Sequence, residues 1–546
     1  MADHGLTQEV PTDSVSDMDR KQELTGTDSA SDESKKPELN WNTFYEQRAG
    51  RLVVDPKEAS IEFGEAIASK LKLSEDGTKV LWPQPTDSKY DPQNWSSLRK
   101  NMHLLIITLA AIVPDFDSGI GIAGTFQLAT QYDTTTGVII NETANWSIFL
   151  LGWGGLFAVI LIRRYGRLPV LFWSQVLAAA FLAGCTFAPN LRTFTVMRCL
   201  TALFGTAPQV TGLYVVTDLF PFHLQARKLN IWTMGFILSP FISPFAFGFL
   251  VARLSWRWAY GIGSIYGAIV CILIMLFMEE TMYDRNIDPI PEPAEEGFSY
   301  RFKTLIGITG YKMSKYRLSW YEATASLFRV VWRPHLLIIL VFEALVFGFS
   351  IGINVTTPCF WEHHHLWDTA SRSLLSLAVM GRHWCVGIII GELIGRFNND
   401  YIMNVSIRRN NGVFEAESRL WACYVGIPLY ICGFVLLGAS FQNQLSPGAF
   451  IMGFGISMVA VMIITVAVYA YCNDCFPQHP GEISALVNLA RTLGGFAVAY
   501  FQIPWAVKNG TLQVFGVESA VVTGLFFLCV PLIQIKGRYF RERFSL

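Results

Sequence analysis

The stretch "AVILIRRYGRLPVLFW", residues 158–173, holds two apolar runs and a break between them. The first run stops on Arg163 and Arg164; Gly166 and Arg167 follow, and the second run starts at once. Three arginines within the nine residues from Ile162 to Val170 do not belong in hydrocarbon, where each charged side chain costs about 2.5–3.5 kcal/mol on insertion scales. The gap therefore reads as a loop between two membrane-crossing helices. It also carries a direction, because lysine and arginine gather in the short loops on the cytoplasmic side. Spacing alone leaves open whether the arginines only set topology or do more.

The composition extends that reading to the whole chain. Of 546 residues, 52% are hydrophobic and only 16% charged, with a mean hydropathy of +0.35. A soluble enzyme would carry about a quarter charged residues. The apolar residues fall in runs of about 20, the length that crosses a ~30 Å hydrocarbon core at 1.5 Å per residue. A net charge of -1 gives no reason to expect a nucleic-acid partner. Cys185, Cys199, Cys271, Cys432 and Cys529 lie inside apolar runs, as small hydrophobes do. No phosphate-binding loop, catalytic triad or zinc signature is present, so neither ATP nor an enzyme mechanism is expected, and no cofactor or metal. "CNDC" (472–475) near His479 is a lone Cys-x-x-Cys at a helix end, and "EHHHLWD" (362–368) is a histidine-rich outer loop.

Twelve spans are expected, near 102–128, 145–163, 168–189, 193–218, 229–252 and 258–279, then 334–358, 372–396, 419–440, 446–472, 482–506 and 514–535. This divides the chain into a largely disordered amino-terminal tail (1–100), a six-helix bundle (101–279), a central loop (280–333), a second bundle (334–535) and a short tail (536–546). The proline-broken, Trp-bearing lead-in "VLWPQPTDSKYDPQNWSSLRK" (80–100) is expected at the membrane interface. The 6 + 6 pattern implies two similar halves. Basic residues mark the loops after spans two and four, the central loop and the tail, whereas 129–144 and 441–445 carry none. Both termini are then expected in the cytoplasm. No stretch near Met1 reads as a cleavable signal, so the first span is expected to target the chain. The sequons at Asn141 and Asn145 fall in the first outer loop as glycosylation candidates.

Several of these residues resemble the signatures of the major facilitator superfamily. "RRYGRLPV" is similar to its loop motif G-x-L-x-D-R-x-G-R-R, with Leu161, Arg164, Gly166 and Arg167 in matching places but Val159 for the first glycine and Arg163 for the acid. Arg198 sits where the R-x-x-Q-G motif has its arginine. "WTMGFILSPFISPFAFGFL" (232–250) resembles a loosened fifth-helix antiporter motif through Gly235, Pro240, Pro244 and Gly248. "MEETMYDR" (278–285), "GELIGRFNND" (391–400) and the "WPQP…DPQNW" lead-in are similar to fungal twelve-span drug:proton antiporters, in the branch that includes histidinol and polyamine carriers. The resemblance covers roughly residues 80–540. It implies an all-α integral membrane fold of twelve helices in two pseudo-symmetric six-helix bundles, a monomer in the plasma membrane. Its function would be proton-coupled efflux of a small organic compound, such as a secondary metabolite or xenobiotic. Its partners would be that substrate, protons and the bilayer. The rival reading is proton-coupled uptake of a small organic cation such as a polyamine or histidinol-like amine. A third reading, a transport-like receptor signalling through its tails, has no obvious signalling module to support it.

Charged residues within the spans are the candidates for transport. Asp115 lies ~17 Å beyond Leu104, near mid-bilayer, and Asp117 is about 200° further around a regular helix. Pro114, Gly119, Gly121 and Gly124 point to a kink there, so these carboxylates either line a cavity or bond to neighbouring helices. Glu343 opens the second half as Asp115 opens the first. Arg198, Arg382 and Arg491 balance the three acids, and pairing is expected because a lone buried arginine is strongly disfavoured. A carboxylate that alternately faces an arginine and water changes its proton affinity with conformation, which is the minimum proton coupling needs. Aromatic residues along the spans, Trp153, Phe157, Trp232, Phe236 and Phe349 among them, are candidates to wall the pocket. In related carriers the acid of the opening loop latches the halves together. With Arg163 in its place, Arg164 and Arg167 are expected to engage Asp218, Asp474 or Glu482 as a cytoplasmic gate.

Overall fold

The structure is a computed structural model that describes residues 51–74, 76–283, 297–363 and 370–544, the side chains of Phe241 and of 354–385 excepted. Among the described residues, eleven helices are long and apolar enough to cross a bilayer. In the first half they are spans one to six: Ser97–Gln131, Thr136–Tyr165, Arg167–Thr186, Leu191–Leu219, Phe222–Val251 and Trp256–Phe277. In the second half, span seven starts at Pro334, and spans nine to twelve are Ala416–Gln442, Pro447–Cys475, Pro480–Asn509 and Thr511–Arg543. The helix Ala370–Arg409 takes the eighth place and completes the twelve. Each expected span falls on one of these helices. Only helices satisfy every backbone group within a single segment, which is why apolar runs of this length adopt no other form in lipid. Polar caps start several of them: Ser96 accepts from Arg99 N at 3.4 Å, Asn190 from Thr193 N at 2.8 Å and Ser255 from Arg257 N at 3.4 Å.

Element ends differ from the expectation in three places. Span one begins at Ser97, and span twelve runs on to Arg543 through most of the supposed tail. The expected outer loop 129–144 is largely helical, with Thr136–Ile139 followed by a π-turn at Ile140–Asn145 that leads into span two. Hydropathy marks only the apolar part of a helix, and polar turns at either end escape it.

The two halves repeat one another's packing. Span one lies on five and six, three on four and six, and two on four. In the second half seven lies on eleven and twelve, nine on ten and twelve, and eight on ten. The halves meet along two seams, span two against eleven and span five against eight, and a pseudo-twofold exchange of halves turns one seam into the other. Small residues permit the close approach. A Cβ at Gly119 of span one would lie 2.9 Å from Pro240 O and from Pro244 Cδ of span five, and one at Gly235 would lie 2.6 Å from Thr108 Cγ2 of span one. The fifth-helix motif thus welds spans one and five, with Gly248 buried further along the same helix.

The second part of the amino-terminal tail is not disordered. Strand β1 (Arg51–Val53) pairs antiparallel with β2 (Val413–Glu415), in the link between spans eight and nine. Trp82 is buried, donates from Nε1 to Val53 O at 2.8 Å, and accepts at its own carbonyl from Phe222 N of span five at 2.8 Å. Leu52, Val53, Val80 and Trp82 form one apolar cluster with Phe222, Met403 and Phe414. The segment is therefore a strap that touches both halves, and the lead-in tryptophans lie in protein rather than at the lipid interface. Trp95 is likewise buried, with the Arg99 guanidinium 3.9 Å from its ring. Truncating a buried tryptophan costs about 3–5 kcal/mol. Trp82→Ala is accordingly expected to free the strap, so that trypsin cuts at Lys57 and Lys70 about a hundredfold faster while the spans stay intact. Unchanged digestion would mean that β1 alone holds the strap.

The central link is helical in part: α1 (Phe298–Ile306), α2 (Ile308–Met313) and α3 (Trp320–Val331). Ser319 caps α3 in a full capping box with Glu322, whose carboxyl is held below its ordinary range by the Ser319 backbone and hydroxyl donors.

Candidate functional site

The opening loop sits at the end of the bundle where the basic residues gather. Span two ends at Tyr165, Gly166 adopts φ 101°, and span three starts at Arg167. The free amides of that new helix are capped by Glu280: Arg167 N and Leu168 N each donate to it at 3.1 Å. A Cβ on Gly166 would lie 2.6 Å from Glu280 Oε2, so glycine is required for both the turn and the approach. This joins "RRYGR" to "MEET", two motifs far apart in sequence.

The three arginines take three different partners. Arg163 forms an ion pair with Glu482 of span eleven and donates to Gln478 O at 3.0 Å and His479 Nδ1 at 2.8 Å. Arg167 pairs with Asp218 of its own half and stacks 4.5 Å over the Tyr214 ring. Arg164 donates to Leu318 O at 3.3 Å and lies over Trp320. Asp474 pairs at 2.9 Å with Arg419 inside the second half. Among the expected gate residues, then, Glu482 is bound by Arg163 rather than Arg164 or Arg167, and Asp218 and Asp474 do not bridge the halves. The reason is position: Arg163 lies on the face of span two that meets span eleven, while Arg167 already belongs to span three. Glu482 is fully buried and also accepts from Tyr214 Oη at 3.1 Å and from Ser326 Oγ of α3 at 2.9 Å. Gly481 leaves room for the Tyr214 ring.

The other seam carries the matching pair. Arg227 of span five donates to Asp400 of span eight at 2.6 and 3.2 Å. Under the pseudo-twofold exchange span two corresponds to span eight and span eleven to span five, so the arginine and the acid of the two pairs sit on exchanged helices. Energetically the two differ. Arg227–Asp400 is partly exposed and is worth about 1 kcal/mol or less. Removing one partner of the buried pair leaves an uncompensated charge, at a cost of about 3–5 kcal/mol. At the opposite end the first seam is also shut: Trp146 packs on Phe496 with centroids 5.5 Å apart, and Tyr500 Oη donates to Asn141 Oδ1 at 2.9 Å. That hydrogen bond occupies one glycosylation candidate. The other, Asn145, is buried in the π-turn and closed to modification in this conformation, because the loop expected around it is helical.

At the centre, Asp115 and Asp117 part company as their helical spacing requires. Asp115 accepts from Gln209 Nε2 of span four at 2.6 Å, and Ser484 of span eleven donates to Gln209 O at 2.8 Å, so this carboxylate lies where the halves meet. Asp117 turns into the first half, fully buried, near Gly263 of span six and under the charge of Arg198. Neither Asp117 nor Arg198 has a hydrogen-bond partner among the described residues, and Tyr260 Oη beside them also lacks one. Glu343, fully buried, accepts at Oε1 from Thr465 of span ten at 2.7 Å.

Arg491 of span eleven joins these groups. Its charge acts on both Asp115 of the first half and Glu343 of the second. Its guanidinium lies 3.6 Å from the Phe347 ring centroid and 4.9 Å from that of Phe236, and Nε and Nη1 have no hydrogen-bond partner among the described residues. Trp232 and Phe236 of span five continue to Tyr469 of span ten at 6.0 and 6.3 Å. Of the candidate aromatics, Trp232 and Phe236 belong to this wall, whereas Trp153 and Phe157 are exposed on the outer surface. Arg382 falls outside the residues whose side chains are described. Sequence reasoning missed Phe347 and Tyr469, which look like ordinary span residues. It also missed Glu518, a buried acid in span twelve held by the Gln502 amide at 3.1 and 3.2 Å. Glu518 was legible, being a lone acid in the run "VFGVESAVV".

Two halves that repeat each other's packing and enclose a charged, aromatic centre define a membrane carrier. The family model of the Major Facilitator Superfamily matches residues 84–499, and the chain belongs to that family. It is 27% identical over 479 residues to the MFS-type transporter hepF of Aspergillus oryzae, covering 86% of this chain and 95% of that protein. It is 22% identical over 470 residues to the efflux pump radE of Floropilus chiversii, covering 84% of each. The fold is similar to the partially occluded inward-open xylose transporter XylE from E. coli, with a TM-score of 0.55 at 14% identity, over 79% of this chain and 98% of that one. The chain is therefore a membrane transporter, not an enzyme.

Proposed function

We propose that this transporter exports a small organic compound in exchange for protons, by alternating access between its two halves. The observation that carries this reading is Arg491, buried against the rings of Phe347 and Phe236, with its charge acting on Asp115 of one half and Glu343 of the other. A rocking motion changes which carboxylate the arginine serves, and a carboxylate released from it becomes a proton acceptor or donor. Trp232, Phe236, Phe347 and Tyr469 suit a planar, largely apolar substrate, and the naming of radE as an efflux pump favours outward transport. Arg163–Glu482 and Arg227–Asp400 act as the gate at the basic end. The basic charge of that end supports a cytoplasmic side for it and for both termini, and the resemblance to fungal antiporters supports the plasma membrane. The functional division follows the two bundles, 101–279 and 334–535.

One feature favours the rival reading, uptake of an organic cation: among the described residues, two carboxylates, Asp115 and Glu343, feel the charge of one arginine, Arg491. Untargeted mass spectrometry separates the two. Cells lacking the protein, cells expressing it and cells expressing Asp115→Asn are compared with their media. Export requires a compound enriched in the medium and depleted in cells only with the active protein. The opposite shift would establish uptake, and no shift in any compound would remove both readings.

A further inference from the structure

We propose that α1 and α2 of the central link form a docking surface for anionic phospholipid headgroups. The link from Gly297 to Arg333 carries seven lysines and arginines against one acid, Glu322. On α1 the exposed residues Phe298, Phe302 and Ile306 recur every four positions and form one stripe, while Thr304 and Leu305 turn inward. A stripe of two phenylalanines and an isoleucine is unfavourable in water and at rest among acyl chains.

Its position says which it meets. Trp173 of span three, itself exposed on the outer flank, donates from Nε1 to Ile306 O at 3.2 Å. Arg301 donates to Met275 O and Met278 O at the end of span six at 3.3 Å, next to the exposed Leu276 and Phe277. The helix thus lies against the sides of spans three and six, and its apolar stripe continues their lipid-facing surface. Gly307, at φ 102°, turns the chain into α2, and Gly310 packs directly on Tyr165 O at the end of span two. Beyond it Lys312 and Lys315 are exposed. Rings at acyl depth beside lysines at headgroup depth are the arrangement that recognises an anionic leaflet. The occupant rests on the orientation proposed above, but not on transport or its direction.

The test uses the full-length protein in nanodiscs of phosphatidylcholine alone or of phosphatidylcholine with phosphatidylserine, and reads backbone hydrogen exchange over 298–313. Both leaflets then hold the same lipid, so neither orientation nor transport affects the result. Protection is expected to rise several-fold with phosphatidylserine, to fall in high salt, and to be lost in Lys312→Glu/Lys315→Glu, at about fivefold per lysine. Exchange in the spans reports that the variant is folded. Equal protection in the two bilayers, or a phosphatidylserine effect untouched by the double variant, would overturn the proposal. Protection that follows protein concentration would instead assign the surface to a second copy of the chain.

Discussion

In Arg163→Glu the basic end of the transporter is expected to stand open. The substitution puts a second negative charge beside Glu482, which is fully buried and already depends on Arg163 for compensation. A loss of about 3–5 kcal/mol in the closed form corresponds to a population shift of about a hundredfold or more. Glu482→Arg should do the same from the other side. Cys472 and Cys475, buried at this end of span ten, report the change: N-ethylmaleimide is expected to label them rapidly in either single variant. Arg163→Glu/Glu482→Arg should restore protection and transport together. Arg227→Glu is the control for scale, since its exposed pair accounts for no more than about 1 kcal/mol. If both single variants stayed protected, apolar packing along the seam rather than charge would hold the end shut. If the double variant failed to recover, Glu482 would serve its other contacts, Tyr214 and Ser326, and not the pair.

The second large effect is expected at the centre. Arg491→Gln keeps a polar side chain but removes the charge shared by Asp115 and Glu343. Substrate-linked proton movement in proteoliposomes should fall by at least a hundredfold, again from about 3–5 kcal/mol of lost compensation. Arg491→Lys tests geometry separately from charge. An ammonium retains the charge but not the flat face that lies 3.6 Å from Phe347, so partial coupling with weaker substrate binding is expected. Asp117→Asn should behave differently from Asp115→Asn. Asp117 faces Arg198 inside one half, so its loss weakens the first bundle and lowers its thermal stability rather than altering exchange between halves. Full coupled transport in Arg491→Gln would discard the proposed role of this cluster.

The gate shows how far a sequence can be read. The charge inversion at Arg163 was visible, because an arginine stood where related loops have an acid. What followed from it was not. An arginine in that place needs an acid opposite, and Glu482 was visible too, but 319 positions separate them and nothing local ties them. Of the acids expected opposite Arg164 and Arg167, Asp218 pairs with Arg167, but Glu482 is taken by Arg163, because one residue along a helix is about 100° of rotation, enough to move a side chain from one seam to another. Two such steps, about 200°, separate Asp115 from Asp117, and there the divergence was read in advance. Helical spacing says which residues share a face. It does not say what that face meets.

By itself, then, the sequence determined the twelve spans, their division into halves, the basic end and the presence of buried charge. All of these are sums over consecutive residues, taken between water and hydrocarbon. The tertiary structure decided that Arg163 closes on Glu482, that the charge of Arg491 reaches acids of both halves, and that the tail from Arg51 forms a strap across both halves. Those choices depend on which helices pack together and in what rotation, and that is settled by the shapes of side chains far apart in the chain, such as Gly481 against Tyr214 and Gly119 against Pro240.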